Sequence, residues 1–220
     1  MRYQVLEMDI SIYIHDDIIL AIYVDDILIA DLFIQACNVI IVEFSRKLEV
    51  VNKDEVKSFL SFNIVRNYEK HAIAISQPGY IDRLLAKFNM TNAKSVSTPF
   101  EIGTKLKLAM TNDTLCNIKL YQELIDSLNH LAVFTRSDIV FAVFKLSKYN
   151  SNPTITHFKA GLHVLHYLKA TRNYCIVYKR STNVSILDVI DYSDSDFAND
   201  KNDRKSYTSY IFLINGGAII

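Results

Sequence analysis

Tyr23-Val24-Asp25-Asp26 separates two apolar runs, Ile18-Ile19-Leu20-Ala21-Ile22 and Ile27-Leu28-Ile29-Ala30. Adjacent carboxylates between such runs cannot belong to one continuous buried strand, because burying unpaired charge is costly. The pair is predicted at a tight turn with a strand on either side. A turn chosen for conformation alone favours Gly or Asn. A hairpin holding out two aspartates instead offers oxygen ligands to Mg²⁺, the donors that clamp attacking and leaving oxygens in phosphoryl transfer. Asp25 and Asp26 are therefore candidate metal ligands and catalytic residues; the plain alternative is a surface hairpin with an Asp-Asp turn.

Working outward, Ile10, Ile12 and Ile14 alternate with Ser11, Tyr13 and His15 and predict a half-buried strand. His15-Asp16-Asp17 turns it into a fully apolar strand over 18–24, and a third strand after Asp26 completes a meander. Residues 32–48 read as a helix, and 57–66 with 72–76 as a hairpin about 67–71. A further helix starts at Ser76 or Gln77, with Ile81, Leu84, Leu85 and Phe88 at helical spacing, and ends near Met90. Residues 95–117, with Pro99 and Gly103, read as a linker. Three helical stripes follow: Tyr121, Leu124, Ile125, Leu128, Leu131 and Ala132; then Ile139, Val140, Val143, Phe144 and Leu146; then Phe158, Leu162, Leu165 and Leu168, capped by Thr154 or Thr156. The period returns to strands at 174–178, 186–191 and 206–214. Asn215-Gly216 is a hairpin turn signal, with nothing left to pair beyond Ile220.

Lys plus Arg equals Asp plus Glu at 24 each, so overall charge draws the chain to no polyanion and any nucleic-acid binding must come from local patches. Half of the 220 residues are hydrophobic, enough for one large core or two modest ones. Cys37, Cys116 and Cys175 are odd in number and in no metal-ligand spacing, which suits a reducing intracellular compartment, cytoplasmic or nuclear. The apolar stretch near the N-terminus is broken by Asp25 and Asp26, short of the roughly 20 residues a membrane helix needs. No cleavable signal precedes it, so no membrane partner is expected.

Several stretches resemble, in order, the Pol polyprotein of copia-type retrotransposons: residues 23–30, Ser76-Gln77-Pro78-Gly79-Tyr80-Ile81, Ser97-Thr98-Pro99, Thr135-Arg136-Ser137-Asp138-Ile139, Ser151-Asn152-Pro153-Thr154, Tyr192-Ser193-Asp194-Ser195-Asp196-Phe197 and Asp203-Arg204-Lys205-Ser206. The resemblance implies an α+β fold: a partial reverse-transcriptase palm with its Asp-Asp hairpin (1–94), a linker (95–117), a helical thumb and connection region (118–171) and the first strands of an RNase H-like sheet (172–220). The hairpin over 57–76 resembles a primer grip. Implied partners are an RNA template and a DNA primer, and the implied cofactor is Mg²⁺, with Mn²⁺ as a substitute, held weakly. Asp194 matches the metal-binding aspartate of the first RNase H strand; the plain alternative is that Asp191, Asp194, Asp196 and Asp200 solvate a loop.

Two aspartates are fewer than such polymerases use. Asp9 is the one upstream acid with a strand behind it, but the resemblance places it on the strand leading into the hairpin. The remaining RNase H carboxylates are expected beyond Asn215-Gly216-Gly217. Family glycines are replaced by Asp31, Ser61, Asp126, Ala170, Cys175, Asn199 and Ser209, which costs about 1 kcal/mol wherever positive φ was needed. Ser137 stands at a usual proline, and His163 and His166 at usual arginines, thinning positive charge. A metal site from His163, His166 and His157 lacks a completing ligand. Tyr149, Phe158 and Tyr167 lie in or beside apolar stripes and read as core rather than as base-stacking platforms. The expected function is a polymerase fragment inactive alone; the alternative is a non-catalytic relic that binds nucleic acid or protein.

Overall fold

The computed structural model describes residues 3–101, 103–104, 106–180, 189–195, 206 and 208–219. The fold is mixed helix and sheet, and the chain divides into two compact units, Met1–Leu60 and Ser61–Ile220.

The first unit is an antiparallel meander of four strands in the order β1 (Gln4–Leu6), β2 (Asp9–His15), β3 (Ile18–Tyr23) and β4 (Asp26–Ala30), followed by helix α1 (Ile34–Ser45) and the short strand β5 (Ser58–Phe59). The expected three-strand meander thus gains β1 at its edge. β3 is apolar throughout but covered on one face only: Ile18 and Leu20 are buried with Ile40 of α1, whereas Ile19, on the opposite face, is 45% exposed. Side-chain alternation explains this, since only every second residue of a strand can meet one helix. α1 is shorter than the predicted 32–48 because Asp31 Oδ1 accepts the Phe33 N–H at 2.6 Å, an Asx-type turn that sets the helix entry.

In the second unit β6 (Phe62–Asn67) and β7 (Ala72–Ser76) form the expected hairpin, joined at Asn67 and Ala72. The predicted strand over 57–66 is interrupted at Leu60 and Ser61, whose φ values of 50° and 70° cannot belong to a strand. The last strand of this sheet comes from far along the chain: β8 (Ile176–Lys179) pairs antiparallel to β7, with Ala72 opposite Lys179. It was expected among the C-terminal strands. Those strands, β9 (Val189–Ser195), β10 (Thr208–Ile214) and β11 (Gly217–Ile219), form a separate antiparallel meander. Gly217–Ile219 returns along β10, with Ile214 opposite Gly217 and Phe212 opposite Ile219. Asn215 and Gly216 both take positive φ, the hairpin turn their sequence announces. Gly217 then lies so close to β8 that a Cβ would sit 2.4 Å from the Tyr178 ring, and Tyr178 Oη donates to the Ala218 carbonyl at 2.8 Å.

The main core is helical. α2 (Pro78–Lys87), α3 (Ile118–Phe134), α4 (Val140–Ser147) and α5 (Ile155–Ala170) bury Ile81, Leu84, Leu128, Leu146 and Leu165 among others. All six residues predicted for the α3 stripe are buried. The α4 stripe is rotated from prediction: Ala142, Val143 and Leu146 face the core, while Val140 and Phe144 are 41% and 49% exposed. On α5 the buried face runs through His157, Gly161, Val164, Leu165 and Leu168, because Gly161 admits Leu124 to within 2.8 Å of where its Cβ would be. Tyr149 and Tyr167 are buried, as read from the sequence. The chain running into the predicted linker is stitched to α5: Lys169 Nζ donates to the Ala93 carbonyl at 2.7 Å, and His163 and His166 bond the carbonyls of Thr98 and Lys94. Among the described residues, no helix is long and apolar enough to cross a membrane.

Candidate functional site

The β3–β4 hairpin closes on the pair Tyr23 and Asp26, so its two loop residues are Val24 and Asp25 rather than the two aspartates. Asp25 occupies the apex and Asp26 opens β4, and both carboxylates are exposed. Of the loop residues only Val24 has positive φ, 52°. A β-branched side chain in that region is strained, because its Cβ crowds the backbone, and strain of this kind is retained where the surrounding structure enforces it. The strands supply that enforcement through a continuous register from Ile19–Ala30 to Tyr23–Asp26.

Lys53 Nζ lies 3.4 Å from Asp26 Oδ1. With Lys53 80% exposed, the pair is solvent-screened and holds the aspartate only loosely. β2 and β3 pair from His15–Ile18 to Ile12–Ala21, and continuing that register brings the start of β2 to the hairpin end of the sheet. Asp9, which opens β2, is therefore at the same end as Asp25; its Oδ1 accepts the Ser11 N–H at 2.8 Å. The donor set of Asp25 and Asp26 is all oxygen, which suits a hard divalent cation that keeps waters and takes its other ligands from substrate phosphates. Among the described residues, no three His, Cys, Asp or Glu side chains come together as a metal cluster.

Asp194 lies in the other unit, on β9 opposite Ser209 of β10, and is exposed. Strand alternation puts it on one face with Tyr192 and Ile190. Asp191 is three pairs away opposite Phe212, and Asp196 and Asp200 lie outside the described residues.

Two polar centres emerge that the sequence did not single out. Arg136, 2% exposed, forks onto Asp138 through Nε and Nη2 at 2.9 and 2.8 Å, and donates through Nη1 to the Thr171 carbonyl at 3.1 Å. Tyr167 Oη adds a 2.7 Å bond to Asp138. Partial burial pushes the Asp138 carboxyl up, but hydrogen bonds from Arg136 and Tyr167 outweigh it and leave the group below the usual carboxylate range. Gln77, also 2% exposed, accepts from Thr135 Oγ1 at 2.8 Å and lies 3.2 Å from His130 Nε2. The available signal was a charged or amide residue set inside an apolar helical pattern, at 135–139 and at 76–81. Both are scaffold. His163 and His166 bond the carbonyls of Thr98 and Lys94 rather than a shared ligand.

The family described as reverse transcriptase (RNA-dependent DNA polymerase) matches residues 2–102. The chain is 34% identical over 208 residues to the retrovirus-related Pol polyprotein from transposon TNT 1-94 of Nicotiana tabacum, covering 92% of this chain and 15% of that protein. It is 35% identical over 193 residues to the Pol polyprotein from transposon RE1 of Arabidopsis thaliana, covering 88% and 13%. A third relative, from transposon RE2 of the same plant, is 34% identical over 197 residues, covering 90% and 13%. The chain thus spans about one seventh of the length of these curated relatives. No solved structure matches.

Proposed function

Because the chain belongs to the reverse transcriptase family of copia-type retrotransposon Pol polyproteins, we infer that its Asp25-Asp26 hairpin is the metal-holding hairpin of an RNA-directed DNA polymerase. The observation that carries this is the pair of exposed carboxylates at the tip of β3–β4, one of them fixed by a valine at φ 52°. An ordinary surface turn gains nothing from such strain, whereas a site that must aim Asp25 does. Asp25 and Asp26 would hold Mg²⁺ or Mn²⁺, which when bound supplies charge stabilisation to the phosphates of the incoming nucleotide. The hairpin's own contribution is position: β3 and β4 fix the spacing of the two carboxylates, and Lys53 screens Asp26 until a cation displaces it. A template of RNA, a primer of DNA and an intracellular setting follow from the same reading. So does a role for Asp194 as the first metal aspartate of an RNase H-like domain, in which β9, β10 and β11 supply the opening meander.

On this reading the chain alone extends no primer, since two carboxylates without a third do not assemble the in-line geometry of phosphoryl transfer. Titration of the full chain with Mn²⁺, followed by electron paramagnetic resonance, is expected to show a weak site that Asp25→Asn abolishes. A tight site surviving that substitution would overturn the assignment. Primer extension on an RNA template completes the test: extension lost on Asp25→Ala would show that another carboxylate, Asp9 first, has joined the pair. Binding without turnover is the second reading, and Ser61 at φ 70°, where the family carries glycine, favours it.

A further inference from the structure

The balance of 24 basic and 24 acidic residues conceals a local imbalance. From Ile139 to Leu187 the chain contains seven Lys and Arg and no Asp or Glu. The described part of this segment holds α4, α5 and β8. Its outward surface on α4 is also aromatic. Phe141 and Phe144 are 52% and 49% exposed, on the side of the helix opposite the buried Ala142, Val143 and Leu146. Each ring has a lysine one helical turn on. Lys145 Nζ sits 4.5 Å from the Phe141 ring centroid and 5.8 Å from that of Phe100, and Lys148 Nζ is 5.2 Å from that of Phe144. Of the acids on the neighbouring elements, Glu123 pairs with Lys87 and Asp138 with Arg136.

An exposed pair of phenylalanines alone would mark a protein interface as readily as any other. The cores of protein interfaces, however, are depleted in lysine, and here every ring carries one, in a segment free of carboxylates. Rings that offer a π-face to any base, beside ammonium groups that meet phosphates, are the elements of single-strand recognition. We infer that the outward face of α4 docks a single nucleic-acid strand, with bases against Phe141 and Phe144 and phosphates against Lys145 and Lys148. This rests on the polymerase reading and adds to it a surface remote in sequence from the Asp25-Asp26 hairpin. It is also the basic, aromatic patch that overall composition hid.

The test uses the full chain and a fluorescein-labelled single strand of about 20 nucleotides, DNA and RNA in turn, followed by anisotropy over a salt series, with a duplex of equal length as comparator. Phe141→Leu with Phe144→Leu keeps an apolar side chain and removes both rings; single-strand affinity is expected to fall about tenfold or more and duplex affinity much less. Lys145→Gln with Lys148→Gln, which disturbs no core position, is expected to reduce the slope of log K against log salt by about 1.4. Asp25→Asn is expected to leave strand binding unchanged, so failure of this surface and failure of the metal hairpin are read separately. Affinity and salt slope unchanged in both α4 variants would overturn the proposal. So would self-association in sedimentation that the leucine variant abolishes while strand binding stays as it was, which would assign the face to a second copy of the chain.

Discussion

Val24 holds a conformation in which its own side chain opposes the backbone, and glycine at that position would relieve it. Val24→Gly is expected to stabilise the first unit by about 1 kcal/mol, measured by urea denaturation, while loosening Asp25. The glycine replacements divide on the same principle. Ser61 is at φ 70°, so Ser61→Gly is expected to gain up to about 1 kcal/mol. Asp126 lies inside α3, so Asp126→Gly is expected to lose about as much. Among the described positions where the resemblance leads to the expectation of glycine, only Ser61 takes positive φ. The sequence revealed which residues had changed but not which backbone angles had demanded glycine, because φ is set by the turn each residue occupies.

Helix α5 begins at a cap expected to weaken in acid. Thr154 is its N-cap and His157 completes a capping box. The Thr154 N–H donates to His157 Nδ1 at 2.9 Å and Nε2 faces the Lys107 carbonyl at 3.0 Å, so the neutral ring carries its proton on Nε2. Burial holds the His157 pKa below the ordinary histidine value, and a proton on Nδ1 would also remove the acceptor for Thr154. The unfolded chain therefore takes up this proton first. The stability involved is fully present above the unfolded value of about 6.5 and is lost as pH falls through the folded one. Denaturant midpoints from pH 8 to 5 are expected to decline below about pH 6.5, with the slope flattened in His157→Gln. Asp138, held low by Arg136, contributes a second decline below about pH 4. Arg136→Met, which leaves Asp138 without its fork, is expected to cost about 3 kcal/mol. At this scale the stripe on α3 was legible from periodicity alone, whereas those on α4 and α5 were not. A stripe counted by hydrophobicity ignores a buried histidine and a glycine that lets a neighbour approach, and both lie on the covered face of α5.

Across the molecule the two cores differ greatly in size. That of the first unit is built on Ile18, Leu20 and Ile40, that of the second on four helices. A small core stabilises little, so residues 3–60 are expected to exchange their amide hydrogens and melt before α2–α5. The strands of β9 and β10, with Tyr192 and Tyr210 57% and 73% exposed, are expected to exchange faster than α3, as read by hydrogen exchange with mass spectrometry. The Asp-Asp hairpin was legible because local pattern determines it, but the partner of β7 was not, because nothing in Ala72–Ser76 points to Ile176–Lys179. That pairing has a consequence for the chain as it is made. At a synthesis rate of about 5–20 residues per second, roughly 5–20 s separate the emergence of Ala72 from that of Lys179. Throughout that interval the β6–β7 hairpin waits on the ribosome with one edge open, and an open strand edge is what chaperones and neighbouring nascent chains find first.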